Sequence, residues 1–193
     1  MTKTDLMNMF RKYHISSSGE AERIAYGSCS MLVMPALTKF DNKDVTYIEG
    51  YEESDAGLTV CFFSPEGGNL EAVVSDYAEG DIIYIREAYY IVDGKVKYFT
   101  DFGPEDFNNR HYFISARYMP RHAARSFVKI KSVRLCRLHD LTMQDLHKLG
   151  YRSYDLYFRE WDSCLSEKQW EFCRSEHNPF VFVYEVEHID AEE

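Results

Sequence analysis

Apolar residues near the start of the chain follow the period of a helix. They recur at three- and four-residue spacings: Leu6, Met9, Phe10 and Tyr13. This pattern predicts an amphipathic helix over residues 4–13. The next segment, SSSGEAERIAYG (16–27), predicts a short helix that ends at a glycine. Residues 1–27 are therefore interpreted as an N-terminal helical addition to a main domain of residues 28–193.

Beyond residue 27 the apolar residues form short runs rich in Val, Ile, Tyr and Phe. Gly, Asn, Asp and Pro separate the runs, which is typical of β-strands joined by turns. The predicted strands are SMLVM (30–34), DVTYIE (44–49), LTVCFF (58–63), DIIYIREAYYIV (81–92), KVKYF (95–99) and FVFVYEVEHI (180–189).

One further strand, FVKIKSVRL (127–135), alternates apolar and basic residues, and the alternation changes parity after Ser132. One extra residue in a strand has this effect. We therefore predict a β-bulge at Ser132, with four apolar side chains facing inward: Val128, Ile130, Val133 and Leu135. The lysines and Arg134 would then share the polar face.

Two helices are predicted between the late strands. Thr142 with Asp145 resembles a capping box, and Gly150 is a suitable residue for the end of that helix. Ser166 with Gln169 forms a second box. Many short strands with few helices predict an α+β fold, in which a small closed or nearly closed β-barrel carries peripheral short helices.

The charge of the chain is unevenly distributed. Residues 110–139 contain eight Arg and Lys residues and no Asp or Glu. Because this segment contributes +8 to a net charge of −10, the rest of the chain carries −18. Salt screens charges beyond about 8–10 Å, so such a segment can bind a polyanion locally although the whole protein is acidic.

The remaining composition narrows the class of protein. Five cysteines without a C-x-x-C motif, and no apolar run of membrane-spanning length, favour a reduced cytoplasmic protein that does not bind membranes. The histidines lack metal-ligand spacing and no glycine-rich phosphate loop occurs. We therefore expect neither a metal nor a cofactor.

Four blocks resemble phage and prophage proteins with an ASCH domain, a relative of the PUA domain. They are GDIIYIREAYY (80–90), RYMPRHAARSFVKIKSVRLCRLHDLTMQDLHKLG (117–150), WDS (161–163) and NPFVFVYEVE (178–187). The family pattern has the same order: G-D-hydrophobic-R-E, M-P-R-x-A-A-R, R-L-x-D-L-T-x-x-D, W-D-S and N-P-aromatic-V. The resemblance implies a PUA-like β-barrel with a central cleft over residues 28–193, in a protein from a phage or mobile element.

The same resemblance implies RNA or modified nucleotides as ligands. Some single-domain relatives are amidohydrolases that act on acylated cytidine, and ribonuclease activity has been proposed for others. The family signature G-x-K-x-x-T-x-R is matched here only by Lys43 and Thr46, a candidate amine–hydroxyl catalytic pair. Asp41 and Ile48 replace its glycine and arginine, and Leu149 stands where the hydrolases have a glutamate.

The basic segment supplies most of the candidate binding residues, because guanidinium groups bind phosphate through two hydrogen bonds and lysines supply point charges. The candidates are Arg117, Arg121, Arg125, Lys129 and Lys131. Arg86 either faces the cleft as a binding residue or forms an ion pair with Glu87. Five aromatic residues either stack on bases or pack in the core: Tyr84, Tyr89, Tyr90, Tyr112 and Phe113.

The sequence therefore predicts a protein that binds RNA, single-stranded nucleic acid or a nucleotide through a basic cleft face. An alternative is a hydrolase of modified nucleosides or RNA. Another alternative is a phage-encoded interaction or inhibitor module that uses its acidic surface.

Overall fold

The computed structural model describes residue 2 and residues 12–37, 45, 47–54, 57–64, 66, 68–101 and 113–190. The chain divides into two compact units. The first unit contains Met1–Cys29, Ile82–Lys129 and Glu187–Glu193, and the second contains Ser30–Asp81 and Ile130–Val186. Each unit is therefore assembled from segments that are distant in sequence.

The described residues form ten strands and four α-helices. The strands are β1 (Tyr13–Ile15), β2 (Met31–Pro35), β3 (Tyr47–Ser54), β4 (Gly57–Phe63), β5 (Asn69–Val74), β6 (Ile82–Arg86), β7 (Tyr89–Val92), β8 (Lys95–Tyr98), β9 (Phe127–Arg137) and β10 (Phe180–Ile189). The helices are α1 (Ser18–Ala25), α2 (Met143–Lys148), α3 (Tyr154–Cys164) and α4 (Glu167–Cys173).

Each predicted strand overlaps an observed strand, with two differences. The run predicted over residues 44–49 overlaps β3 only at residues 47–49, and residues 44 and 46 lie outside the described residues. The single run predicted over residues 81–92 is two strands, β6 and β7, separated at Glu87 and Ala88. β5 and α3 were not predicted. At the N-terminus, Tyr13 begins β1 instead of closing a helix, and the other three residues of the predicted helical stripe lie outside the described residues.

The first unit contains the strand order β1-β6-β9. β1 runs parallel to β6, with Tyr13 beside Tyr84 and Ile15 beside Arg86. β6 runs antiparallel to β9, with Tyr84 beside Phe127. Because alternate side chains of a strand share a face, Tyr13, Tyr84, Arg86 and Phe127 lie on the same face of this sheet.

The buried core of the first unit lies around that face. It consists mostly of aromatic and small residues: Tyr84, Tyr89, Met119, Ala123, Ala124 and Phe127. β7 and β8 form a hairpin beside it. Its turn, Asp93–Gly94, has φ of 51° and 73°, which is the left-handed conformation that a two-residue hairpin needs and that glycine adopts without strain.

The second unit contains the order β9-β10-β2 and a separate antiparallel sheet in the order β3-β4-β5. The described helices of this unit pack over a core of Leu, Val and aromatic side chains: Met31, Leu138, Leu141, Leu146, Leu149, Tyr157, Trp161, Val181 and Val183. Both predicted capping boxes are confirmed, at Thr142 with Asp145 and at Ser166 with Gln169.

The alternation in the first half of β9 is confirmed. Val128 and Ile130 are fully buried, whereas Lys129 and Lys131 are exposed. In the second half, Val133 and Leu135 are half-buried, as are Ser132 and Arg134, so burial does not separate two faces there. The bulge at Ser132 stays a prediction.

The described residues combine several sheets with few helices, so the α+β class is confirmed. Within the described ranges the sheets are open and do not close into a barrel. Within the same ranges, no helix is both long and apolar enough to span a bilayer.

Candidate functional site

Arg86 lies at the end of β6, and its guanidinium is held on three sides. Nη1 donates to the carbonyl oxygen of Arg117 at 2.8 Å, and Nη2 donates to the hydroxyl of Tyr84 at 3.1 Å. Cζ lies 3.6 Å from the centroid of the Tyr13 ring, in cation–π contact. These neighbours fix the orientation of the guanidinium, but none of them carries a negative charge.

The charge of Arg86 is therefore uncompensated. Among the residues that the structure describes, no carboxylate pairs with it, and its buried Nε has no hydrogen-bond partner. A buried donor without a partner costs about 1–3 kcal/mol, so native proteins rarely retain one without a reason. An anion bound here would gain both the charge and the remaining N–H donors.

The backbone of Arg86 is also anchored. Its carbonyl oxygen accepts hydrogen bonds from the backbone N–H of Ser16 at 3.1 Å and from the Ser16 hydroxyl at 2.8 Å. Ser16 is buried and lies between β1 and α1. Because side chain and backbone are both held, a ligand would not have to order this residue on binding.

Glu87, the next residue, pairs with a different arginine. Its carboxylate is only 2% exposed and accepts two hydrogen bonds from Arg125, from Nε to Oε1 and from Nη2 to Oε2, each 2.8 Å long. The alternative prediction of an Arg86–Glu87 ion pair is therefore wrong. Successive side chains along a strand point to opposite sides, which separates these two groups.

Arg125 is fully engaged by this cluster. Its Nη1 donates to Asp101 at 2.6 Å and its Nη2 donates to the hydroxyl of Thr100 at 2.5 Å, while Cζ lies 4.0 Å from the centre of the Tyr98 ring. Burial alone would lower the pKa of Arg125, but the hydrogen bonds and charges of Glu87 and Asp101 raise it above its usual value. Two carboxylates compensate this cation, so we leave Arg125 out of the proposed binding face.

The segment after residue 114 is attached to the end of β6 at three points. Arg86 donates to the Arg117 carbonyl, the backbone N–H of Glu87 donates to Sδ of Met119 at 3.2 Å, and the Glu87 carboxylate holds Arg125. This attachment explains why the R-E and M-P-R-x-A-A-R blocks occur together, since each supplies partners for the other.

Arg117 and Lys129 are exposed cations of the first unit. The structure pairs neither of them with a carboxylate in the part of the chain that it describes. Lys129 lies opposite Ile82 in the sheet register, on the same face as Arg86. Arg121 is half-buried in a single helical turn, Arg121–Ala123, and Lys131 is exposed but belongs to the second unit.

Most of the predicted base-stacking residues are core residues. Tyr84 is only 4% exposed, and its hydroxyl positions Arg86. Tyr89 and Tyr90 are also buried, and Phe113 packs edge-on against Tyr90 and Phe99. Tyr112 lies outside the described residues.

The exposed aromatic residue that sequence reasoning missed is Tyr118, which is 70% exposed. In the sequence, its position directly after Arg117 was the available signal. Nothing in the periodicity distinguished it from the buried tyrosines.

The basic segment supports the fold as well as presenting charge. Arg134 pairs with Asp145 at 3.0 Å. Arg137 donates to the carbonyl oxygens of Val45 at 2.8 Å and Asn178 at 3.0 Å. With Arg125 in its carboxylate cluster, at least three of the eight basic residues have structural partners, so the charge available to a ligand is smaller than the sequence count indicates.

The family-like blocks of the second unit are explained by hydrogen bonding. Asn178 has φ of 47°, and its Oδ1 accepts the backbone N–H of His139 at 2.8 Å. Nε1 of the buried Trp161 donates to the carbonyl oxygen of Cys173 at 2.8 Å. These residues of the N-P-aromatic and W-D-S motifs therefore fix the backbone around α4 and the start of β10.

The candidate catalytic pair, Lys43 and Thr46, lies outside the described residues. Leu149 is 5% exposed and packs in the core of the second unit. This position therefore has an apolar packing role in the present chain.

Within the described ranges, no cluster of three or more His, Cys, Asp or Glu side chains could hold a metal ion. Comparison of the chain with protein-family models, curated proteins and solved structures found no significant match. Any assignment of function to the site therefore depends on its own geometry and chemistry.

Proposed function

We propose that the protein binds RNA or a nucleotide through a binding face formed by Arg86, Arg117 and Lys129 in the first unit. The observation that carries this proposal is the state of Arg86, a partly buried guanidinium that is rigidly held without a carboxylate partner. Phosphate oxygens are suitable partners, because a guanidinium presents several N–H donors in a planar fork.

The neighbouring cations support a ligand with more than one charge. Arg117 is joined to Arg86 through its carbonyl oxygen, and Lys129 extends the same sheet face. Each cation that contacts a phosphate contributes about one unit to the slope of log affinity against log salt concentration, because the contact releases a counterion. Removing one such cation should therefore reduce the slope by about one.

The four sequence blocks support a further part of the proposal. We infer that the sheets belong to a PUA-like (ASCH) fold of the phage type, in a cytoplasmic protein. An experimental structure of the full chain tests this inference: a closed barrel supports it, and sheets that stay open contradict it.

Fluorescence anisotropy with labelled single-stranded RNA, single-stranded DNA and duplex RNA at several salt concentrations tests the binding function. We expect Arg117→Ala to weaken binding and reduce the salt slope by about one. Arg86→Lys keeps the charge but cannot replace the planar fork, so it should lower affinity with little change in slope.

Arg159→Ala is the matched control, because Arg159 is an exposed arginine on α3 in the second unit. It should leave affinity and slope unchanged. If no oligonucleotide or mononucleotide binds at low salt, or if the three arginine variants behave alike, the proposed function is wrong.

A further inference from the structure

Tyr118 presents an aromatic ring to solvent beside the binding face. It is 70% exposed, and in the described part of the chain its ring makes no aromatic or cation–π contact. Arg117, the residue before it, is one of the cations of the binding face. The Cα atoms of consecutive residues are about 3.8 Å apart, so the Arg117 side chain and the Tyr118 ring both lie within reach of one short oligonucleotide.

The backbone that carries this ring is fixed. Tyr118 ends the helical turn Ala116–Tyr118, in which its N–H donates to the Ser115 carbonyl at 2.9 Å. Its own carbonyl accepts the hydroxyl of Tyr89 at 3.4 Å, and the preceding carbonyl accepts Arg86. A tyrosine has only two side-chain torsions, so little entropy remains to be lost when its ring is covered.

We propose that Tyr118 stacks on an unpaired base of a single-stranded nucleic acid whose phosphate groups lie on Arg86 and Arg117. This inference rests on the proposed function and adds to it the position of a base. A base inside a duplex has both faces covered by its neighbours, and proteins recognise duplex RNA mainly by its shape and backbone. The ligand class is therefore single-stranded, and because every base has a π-face, the contact tolerates different sequences.

Anisotropy titrations of the full chain with a short single-stranded RNA test the stacking contact. The same RNA paired with its complement, and a version with abasic positions, complete the set. We expect Tyr118→Leu to lower the affinity for the single strand by about five- to 150-fold. The salt slope should not change, because no charge is removed.

Two controls separate stacking from general loss of an exposed aromatic residue. Tyr118→Phe keeps the ring and should bind within about twofold of the parent protein. Tyr26 is 69% exposed, also in the first unit, where it follows α1. Tyr26→Leu should leave binding unchanged.

The outcomes are distinguishable. Affinity loss in Tyr118→Leu that disappears with abasic RNA supports the inference. Single-strand binding that Tyr118→Leu leaves unchanged, or equal affinity for the duplex, overturns the stacking contact but leaves the proposed function intact. Absence of binding to every oligonucleotide overturns both.

Discussion

The carboxylate of Glu87 is buried against the guanidinium of Arg125, with both of its oxygens hydrogen-bonded at 2.8 Å. Thirty-eight positions separate the two residues in the sequence. Their pairing attaches the segment that carries Arg117 and Tyr118 to the end of β6, so the proposed binding face depends on a contact outside that face.

Removing Arg125 should destabilise the fold strongly. Arg125→Ala leaves the Glu87 carboxylate buried without its partner, and breaking a buried pair in this way costs about 3–5 kcal/mol of the free energy of unfolding. Urea unfolding followed by circular dichroism measures the loss. Arg117→Ala, which removes an exposed side chain, should change the free energy of unfolding by no more than about 0.5 kcal/mol.

The double variant Arg125→Ala with Glu87→Gln tests the cause. Because glutamine carries no charge, we expect the double variant to be more stable than Arg125→Ala alone. Two results would contradict a role for the buried charge of Glu87. One is an Arg125→Ala variant that is no less stable than Arg117→Ala. The other is a double variant that is less stable than Arg125→Ala.

Asp145 should make stability depend on pH. Burial alone would raise the pKa of its carboxyl, but hydrogen bonds from the backbone and hydroxyl of Thr142, together with Arg134, lower it below its usual value. A group whose folded pKa is depressed stabilises the fold above its unfolded pKa, about 3.9 for Asp. That stabilisation is lost as the pH falls through the folded pKa.

The matching variant is Asp145→Asn. At pH values above the unfolded pKa it should be less stable than the parent protein by about 1–2 kcal/mol, because it loses the ion pair with Arg134 and the charge that strengthens the hydrogen bonds from Thr142. This difference should shrink as the pH falls below the unfolded pKa. Asp190→Asn, at an exposed position, is the control. A difference that stays constant across this range in urea titrations would contradict the ionic origin.

The cysteines should react with thiol reagents at very different rates. Cys164 is exposed, whereas Cys173 and Cys29 are buried. Burial raises the pKa of the Cys173 thiol to about 11, and its Sγ donates to the carbonyl oxygen of Leu37. Since the thiolate is the reactive species, we expect Cys164 to be labelled first and Cys173 only after unfolding.

Mass spectrometry of peptides after timed alkylation measures these rates, and Cys164→Ser should remove the fast phase. Labelling of Cys173 at the rate of Cys164 in the folded protein would show that the packing around α4 opens readily.

Hydrolysis of acylated cytidine should be very slow or absent. The hydrolases that the sequence blocks resemble have a glutamate where Leu149 is buried in the present chain, and loss of one member of a catalytic unit commonly costs several orders of magnitude in rate. Turnover assays with the purified protein test this expectation, and Thr46→Ala should change ligand binding by no more than a few-fold. Robust turnover that Thr46→Ala abolishes would establish a working site that uses another acid.

Local signals in the sequence predicted local structure well. The capping box of Thr142, the hairpin turn at Gly94 and the buried–exposed alternation of Val128 and Lys129 each depend on residues a few positions apart. α3 was missed although its signals are present: Ser153 caps it, and Tyr154, Tyr157, Phe158 and Trp161 recur at the three- and four-residue spacings of a helix.

The candidate site was harder to predict, because its chemistry depends on distant contacts. The sequence alone does not distinguish Arg86 from Arg125. In the structure, Arg86 has no carboxylate partner among the described residues, whereas Arg125 has two. The sequence likewise does not distinguish Tyr84 from Tyr118, but the ring of Tyr84 is in the core and the ring of Tyr118 is exposed to solvent. Only the folded chain assigns these opposite environments.

Arg86 and Glu87 together carry no net charge. The Glu87 carboxylate is neutralised by Arg125, however, so the positive charge of Arg86 remains. A chain in which Arg86 and Glu87 are exchanged would keep its composition, isoelectric point and strand pattern. It would nevertheless place a carboxylate over Tyr13 and a second guanidinium against Arg125. Such a homologue would repel the anion that we propose the present chain binds, so the order of these two adjacent residues would distinguish homologues that bind the anion from those that do not.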